Sequence, residues 1–238
     1  MMHAPGATHA IAKLQRFGTL GDEACAPLHA AASEMRAVPP RAMVHAREDI
    51  ASVPHLVLTG CLRESFVDAE GRMQTVAIRL PGDVVGTDAL WTHRHAYDLT
   101  ALAPSRVMPA PFIDKTLHAS PLADRFGLIG LIEESMLKDR LRMIGRARAE
   151  ERLLHFFLEL NARQAFVLEG VGARAWVPFS QTEIANATGL TNVYVSKTLT
   201  RLRERGTITI DGDTVTLADR AAIAEEVDFI DHLARATG

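Results

Sequence analysis

The chain has 238 residues, of which 47% are apolar and 23% charged, and a formal net charge of −3. This composition excludes disordered and collagen-like chains, and the length allows one large or two modest domains. No apolar run reaches the ~18 residues that cross a bilayer, the start lacks a secretory apolar core, and two cysteines form no disulfide framework, so we expect a cytoplasmic protein.

The first half of the chain changes from helical to β-like character at Val38. Residues 11–37 have helical character, and Pro39-Pro40 end it. Short β-like runs then follow, separated by glycine, proline and acidic turns, and they predict an antiparallel barrel or sandwich. The runs are Ala42–His45, His55–Thr59, Leu62–Val67, Thr75–Leu80, Asp98–Leu102 and Arg106–Pro109.

A long helix is predicted from Ser120-Pro121, an N-cap followed by proline, to about Gly145. It carries two apolar stripes, whereas a helix with one buried side needs one. We expect the second stripe to pack on the same helix of a second copy, although a single larger core could also bury it. The stripes are Leu122, Phe126, Ile129, Ile132, Met136 and Met143, and Leu128, Leu131, Leu137, Leu141 and Ile144.

The last third predicts a winged helix-turn-helix. Ser180 and Glu183 form a capping box for a short helix, Gly189 allows a sharp turn, and Thr191 caps a second helix that ends near Gly206. Two short alternating runs around an Asp-Gly-Asp turn form the wing. Beside this module we expect a helix over residues 147–162, a β-hairpin over 166–179 and one final helix over 219–233.

Positive charge is concentrated on the second of these helices. Residues 180–208 hold four basic and two acidic side chains, a formal charge of +2 in a chain of −3. Such a patch is typical of a surface that binds phosphate. A solvated helix face, or a winged helix used for protein contacts, would give the same local charge.

The order of barrel, long helix and winged helix-turn-helix resembles the CRP/FNR family of bacterial transcription regulators. The run Leu80–Gly86 is similar to that family's L-x-x-G-D-x-x-G turn, and Gly189-Leu190-Thr191 is similar to the start of its recognition helix. The resemblance implies an α+β protein with an antiparallel β-roll or jelly-roll sensor domain. It implies a sensor domain at 1–119, a long dimerisation helix at 120–146 and a winged helix-turn-helix at 147–238.

The sensor domain departs from the family pattern. Gly82, Thr87 and His95 are the candidate ligand-binding residues, but Thr87 stands where cyclic-AMP-binding members carry glutamate, and His95-Ala96 stands in place of an arginine-serine pair. A phosphate needs a permanent positive charge and donors, so these residues argue against cyclic AMP. Cys25 and Cys61 cannot supply the four thiolates of an iron–sulfur cluster. A single histidine can ligate haem, and His93 or His95 is the nearest candidate.

The recognition helix departs as well. Where the best-known members carry a glutamate that contacts cytosine and an arginine that contacts guanine, this chain has Val193 and Lys197. Valine can contact a thymine methyl, and lysine can donate to guanine. We therefore expect a different half-site, although Val193 could instead pack on the sugar-phosphate edge. The predicted DNA-binding residues are Thr191, Asn192, Val193, Tyr194, Ser196, Lys197, Thr200 and Arg201.

The resemblance implies a homodimer on a near-palindromic double-stranded operator, contact with RNA polymerase if the protein activates transcription, and no enzymatic activity. The alternative from another class is a cupin-like barrel that binds a small molecule or a metal ion and carries an accessory winged helix. His45, Glu48, His93 and His95 are the faint traces of such a site. We interpret His93 and His95 as ordinary histidines of a surface loop, and we predict no metal site.

Overall fold

The computed structural model describes residues 8–50, 53–113 and 121–237, and the chain divides into two compact units, residues 1–130 and 131–238. The first unit contains the predicted β-rich domain, and the second contains the predicted winged helix. The mixture of helices and antiparallel sheets confirms the α+β class. The predicted boundaries at 119/120 and 146/147 stay a prediction.

Antiparallel sheets dominate the described part of the first unit. Two four-stranded sheets have the orders β1-β8-β3-β6 and β2-β7-β4-β5, in the numbering of the strands that follows. The strands are β1 (Arg36–Val38), β2 (Met43–His45), β3 (His55–Thr59), β4 (Leu62–Val67), β5 (Met73–Arg79), β6 (Val84–Val85), β7 (Asp98–Ala101) and β8 (Ser105–Pro109).

Side-chain alternation along β3 separates two cores. Val57 faces a core that includes Leu99 and Val107, which lie on strands of the two sheets. Leu56 and Leu58 point the other way, because successive side chains of a strand alternate between its faces. They pack against residues of α1 (Thr8–Gln15), α2 (Asp22–Ala31) and the long helix. The helical layer is therefore held to the barrel by one face of β3.

The helical character predicted for residues 11–37 is only partly correct. Helix α1 ends at Gln15, Gly18 has φ +121° in the turn before α2, and the chain enters β1 at Arg36. β1 pairs with β8 in an antiparallel register from Arg36↔Val107 to Val38↔Ser105. Pairing with β8, a distant part of the chain, therefore determines the structure of residues 36–38, and the local helical pattern does not.

The long helix, α4 (Pro121–Arg146), has the two apolar stripes that the sequence predicts; α3 (Ala89–Thr92) is a short helix that precedes it. The first stripe is buried or half-buried, with Leu122 at 4% and Met143 at 5% exposure. The second is largely exposed: Leu131 at 63%, Leu137 at 47%, Leu141 at 61% and Ile144 at 42%. The predicted N-cap, Ser120, lies outside the described residues.

The second unit contains the predicted winged helix-turn-helix. Its three-stranded antiparallel sheet has the order β10-β11-β9 in the numbering that follows. The elements are α5 (Ala149–Val167), β9 (Arg174–Trp176), α6 (Gln181–Thr188), α7 (Asn192–Glu204), β10 (Ile208–Asp211), β11 (Thr214–Leu217), α8 (Arg220–Glu226) and α9 (His232–Arg235).

The hairpin predicted over residues 166–179 is wrong. Helix α5 continues to Val167, and one strand, β9, follows and pairs with β11. The side-chain amide of Gln164 exchanges two hydrogen bonds of 2.8 Å with the backbone of Trp176. Asn161 donates to the carbonyls of Gly172 and Arg174. Amides on α5 therefore satisfy the strand edge that a second strand would otherwise pair.

The single tail helix predicted over residues 219–233 is also wrong. The chain forms α8 and α9, with Asp228 between them at φ +50°. Asp219 and Asp231 each accept backbone N–H groups at a helix start. Because aspartate is a strong N-cap, Asp231 starts a new helix where the predicted one would have continued.

Candidate nucleic-acid interface

The turn between α6 and α7 has the geometry that the sequence predicts. Ser180 and Glu183 form the reciprocal capping box: Ser180 Oγ accepts from Glu183 N at 3.3 Å, and Glu183 Oε2 accepts from Ser180 N at 2.6 Å. Gly189 ends α6 at φ +67°, a conformation that glycine adopts without steric cost. The direction in which α7 leaves the turn is therefore fixed by local chemistry.

Helix α7 is capped at both ends. Thr191 Oγ1 accepts from the backbone N–H of Tyr194 at 3.3 Å. At the other end Gly206 has φ +69°, its N–H donates to Arg203 O, and the N–H of Thr207 donates to Leu202 O. These are the two bonds of a Schellman motif, which satisfies carbonyls at the C-terminal end of the helix.

One face of α7 is buried and the opposite face is open. Val195, Leu199 and Leu202 are at most 4% exposed, whereas Val193 and Tyr194 are each 61% exposed. Large apolar side chains so exposed on a well-capped helix are typical of a contact surface. All the predicted DNA-binding residues are exposed on α7 or its N-cap: Thr191, Asn192, Val193, Tyr194, Ser196, Lys197, Thr200 and Arg201.

Two predicted contact residues already have partners. Asn192 Nδ2 donates to Thr182 Oγ1 on α6 at 3.2 Å, which restrains the amide at the start of the recognition helix. Arg201 lies 3.9 Å from a carboxylate oxygen of Glu150 on α5, and Arg205 Nη1 lies 2.5 Å from the other oxygen. Sequence patterns did not indicate Glu150, because its partners are more than fifty residues away.

The glycine turn of the first unit is held by a buried ion pair. Gly82 has φ +87°, and a Cβ there would lie 2.7 Å from Lys13 Cδ. Lys13 pairs with Asp83, whose side chain is 2% exposed and also accepts from the backbone N–H of Leu80 at 2.7 Å. The side chain of Lys13 therefore covers Gly82, and its packing accounts for the glycine at this position.

The other two candidate ligand residues differ in exposure. Thr87 is exposed, whereas His95 is 5% exposed and stacks on His45 with ring centroids 3.4 Å apart. The interpretation of His95 as a surface-loop histidine is therefore wrong. Its ring lies beside Gly86, where a Cβ would be 2.9 Å from His95 Cε1, and Nδ1 lies 3.9 Å from Asp88.

Burial keeps the neighbouring imidazoles neutral. Removal from water, with a smaller contribution from His95, lowers the pKa of His45 to about 4. Burial, followed by the nearby Arg36, lowers the pKa of His55 to about 4 as well. The carboxylate of Asp88 lies beside the His95 ring.

Three comparisons with known proteins agree on the family of this chain. A family model for the Crp-like helix-turn-helix domain matches residues 151–226. The nitrogen fixation regulation protein FixK of Bradyrhizobium diazoefficiens is 30% identical over 181 residues, which are 76% of this chain and 76% of FixK. The chain belongs to the CRP/FNR family.

Solved structures of CRP/FNR-type proteins show the same fold. FixK2 from Bradyrhizobium japonicum has a TM-score of 0.67 at 23% identity, covering 80% of this chain and 95% of FixK2. A CRP-family transcriptional regulator from Thermus thermophilus has a TM-score of 0.65 at 22% identity, covering 81% of this chain and 96% of that regulator. As a CRP/FNR-type protein, the chain is a DNA-binding transcriptional regulator, and its relatives are regulators rather than enzymes.

The cupin-like alternative gains little from the structure of this CRP/FNR-type chain. His45 and His95 do meet, which their spacing in the sequence did not indicate. However, within residues 8–50, 53–113 and 121–237 no group of three or more His, Cys, Asp or Glu side chains is arranged to hold a metal ion.

The helices of those residues include none with the length and apolar character of a membrane span.

Proposed function

We propose that the protein regulates transcription as a homodimer that binds a near-palindromic operator through α7. The observation that carries the proposal is the exposed face of α7, a doubly capped helix with Val193 and Tyr194 open to solvent. A helix of this kind fits the major groove, which is about 12 Å wide. Two copies would place their recognition helices one helical turn of DNA apart, about 34 Å.

The exposed stripe of α4 supports the proposed homodimer. Leu131, Leu137, Leu141 and Ile144 recur at near-heptad spacing, and they stay exposed while the opposite stripe is buried. Side chains at this spacing pack knobs-into-holes against the same stripe of another helix. The helix also includes Gly127 and other exposed glycines, at which a Cβ would meet only open space, so two backbones can approach closely there.

The roles within α7 follow from side-chain chemistry. Lys197 would donate to guanine O6 and N7, and Val193 would contact a thymine methyl, because valine cannot accept from cytosine N4. Asn192 would pair with adenine or a phosphate, and Ser196 would face bases beside Lys197. The residues that would contact phosphates and fix the register are Thr191, Tyr194, Thr200 and Arg201.

The sensor domain would respond to something other than cyclic AMP. Thr87, His95 and Ala96 offer no permanent cation, and Asp88 adds a negative charge beside them. Cys25 and Cys61, both buried, fall short of the four thiolates of an iron–sulfur cluster. Haem on His93 or His95 is checked by absorbance of the purified protein, since a bound haem gives a Soret band.

The regulator would act in the cytoplasm, and it would contact RNA polymerase if it activates transcription. A signal in the first unit would shift the paired α4 helices and so change the aim of the two α7 helices.

Selection of bound sequences from random DNA tests the proposed function. We expect an inverted repeat whose half-site differs, at the base facing Val193, from the half-site bound by members with glutamate there. Recovery of that familiar half-site would show that the assignment of Val193 is wrong. Recovery of no common sequence would contradict sequence-specific binding altogether.

A further inference from the structure

Glu150 of α5 lies beneath the C-terminal half of the recognition helix. One carboxylate oxygen is 2.5 Å from Arg205 Nη1, and the other is 3.9 Å from Arg201 Nη1. The side chain of Glu150 is 18% exposed, whereas those of Arg201 and Arg205 are 60% and 51% exposed. A shielded carboxylate on a neighbouring helix therefore holds two arginines that are otherwise open to solvent.

The carboxylate of Glu150 competes with DNA phosphates for the same arginines. Glu150 is in the first turn of α5, where the helix dipole favours a negative charge. A guanidinium donates to a carboxylate or a phosphate with the same geometry, so the two acceptors compete for one arginine. Arg205, the nearer partner, stays engaged with Glu150, and Arg201 is the arginine that a phosphate can draw away.

We propose that Glu150 is a positioning residue that, through Arg201 and Arg205, limits the sequence-independent attraction of α7 for DNA. By holding Arg205 and competing for Arg201, it lowers the number of phosphates that the recognition helix neutralises. Because phosphate contacts are sequence-independent, the affinities for operator and random DNA fall together, and contacts with bases supply a larger share of the affinity for the operator. The inference rests on the proposed function, because the competing acceptors are the phosphates of an operator.

The consequence can be expressed as a salt dependence. Each phosphate that a protein neutralises adds about 0.9 to the slope of log affinity against log salt concentration. Glu150→Gln keeps the shape of the side chain and removes its charge, so Arg201 becomes available to a phosphate. At low salt the variant should bind random duplex DNA roughly threefold to tenfold more tightly per protomer, with a slope steeper by about one.

The experiment measures the affinity of the full chain for the selected operator and for a random duplex over a range of salt concentrations. Glu204→Gln is the matched control, because it removes one negative charge from α7 itself and the structure records no ion pair for Glu204 within its described ranges. Glu150→Ala makes the same charge change with a shorter side chain. Arg201→Gln, alone and with Glu150→Gln, completes a double-mutant cycle.

The expected result for both Glu150 variants is a rise in affinity for random DNA and for the operator alike, with a steeper dependence on salt concentration. Glu204→Gln should change either affinity by less than about twofold, and Arg201→Gln should remove most of the gain. An equal effect of Glu204→Gln, or a gain that survives Arg201→Gln, would overturn the inference. Failure of the parent chain to discriminate the operator would instead contradict the proposed function.

Discussion

Replacing Leu141 by alanine should weaken the association of two chains and leave the folded protomer intact. Leu141 is on the exposed stripe of α4, with 61% of its surface open to solvent. Burial of a complete leucine side chain contributes about 1.5–3 kcal/mol. The exposed fraction therefore corresponds to about 1–2 kcal/mol in each copy, and a symmetric dimer contains the residue twice.

Alanine keeps the Cβ atom, so part of this contribution remains. We expect Leu141→Ala to reduce the free energy of dimerisation by about 1.5–3 kcal/mol, which is roughly tenfold to a hundredfold in the dissociation constant. Sedimentation equilibrium of the full chain over a range of concentrations measures that constant. A melting curve of the same sample measures the stability of the fold.

Leu122→Ala is the matched control, because Leu122 is on the opposite stripe and is 4% exposed. Removing a buried leucine side chain costs about 2–5 kcal/mol of folding stability. The control should therefore melt at a lower temperature than the parent. If Leu141→Ala were to melt early and associate like the parent, Leu141 would belong to the protomer core and the proposed dimer face would be wrong.

Three further outcomes are expected. Lys197→Ala should weaken operator binding by about 1–3 kcal/mol and relax the preference at one base pair, and competition between single-base operator variants measures both effects. Because the pKa values of His45 and His55 fall from about 6.5 to about 4 on folding, the unfolded chain binds more protons than the folded one below pH 6.5. Folding stability should thus fall from pH 6.5 to pH 4, by at most about 3 kcal/mol for each histidine and less as water reaches the rings. Denaturant unfolding across this range should show a smaller loss of folding stability in His45→Gln than in the parent. Gln164→Leu should cost roughly 1–3 kcal/mol, because the backbone N–H and carbonyl of Trp176 lose their partner, and hydrogen exchange at the Trp176 amide reports the loss directly.

The sequence predicts the winged helix well because local chemistry determines its ends. The capping box at Ser180, the positive φ at Gly189 and the N-cap at Thr191 all act within a few residues of the chain. The two stripes of α4 are equally predictable from the sequence, since the helical period determines which side chains share a face. Exposure of the second stripe then follows the same period in the structure.

The predictions that the structure contradicts failed because they depend on residues far apart in the sequence. The strand edge at Trp176 is satisfied by Gln164 on a helix, and no local pattern distinguishes that arrangement from a hairpin. The stacking of His45 on His95 depends on contacts across fifty residues of sequence, and the ion pairs of Glu150 depend on a similar separation. Such pairings require the tertiary fold, which the chain order alone leaves open.

The central claim is that two copies bind one operator through α7, and chemical footprinting of the operator tests it most directly. Protection of guanine N7 atoms in the major groove should appear in two windows, centred about 10–10.5 base pairs apart. Lys197→Ala should remove protection at one guanine in each window and leave the outer contacts in place. A single protected window, or protection that is unchanged in Lys197→Ala, would contradict the account.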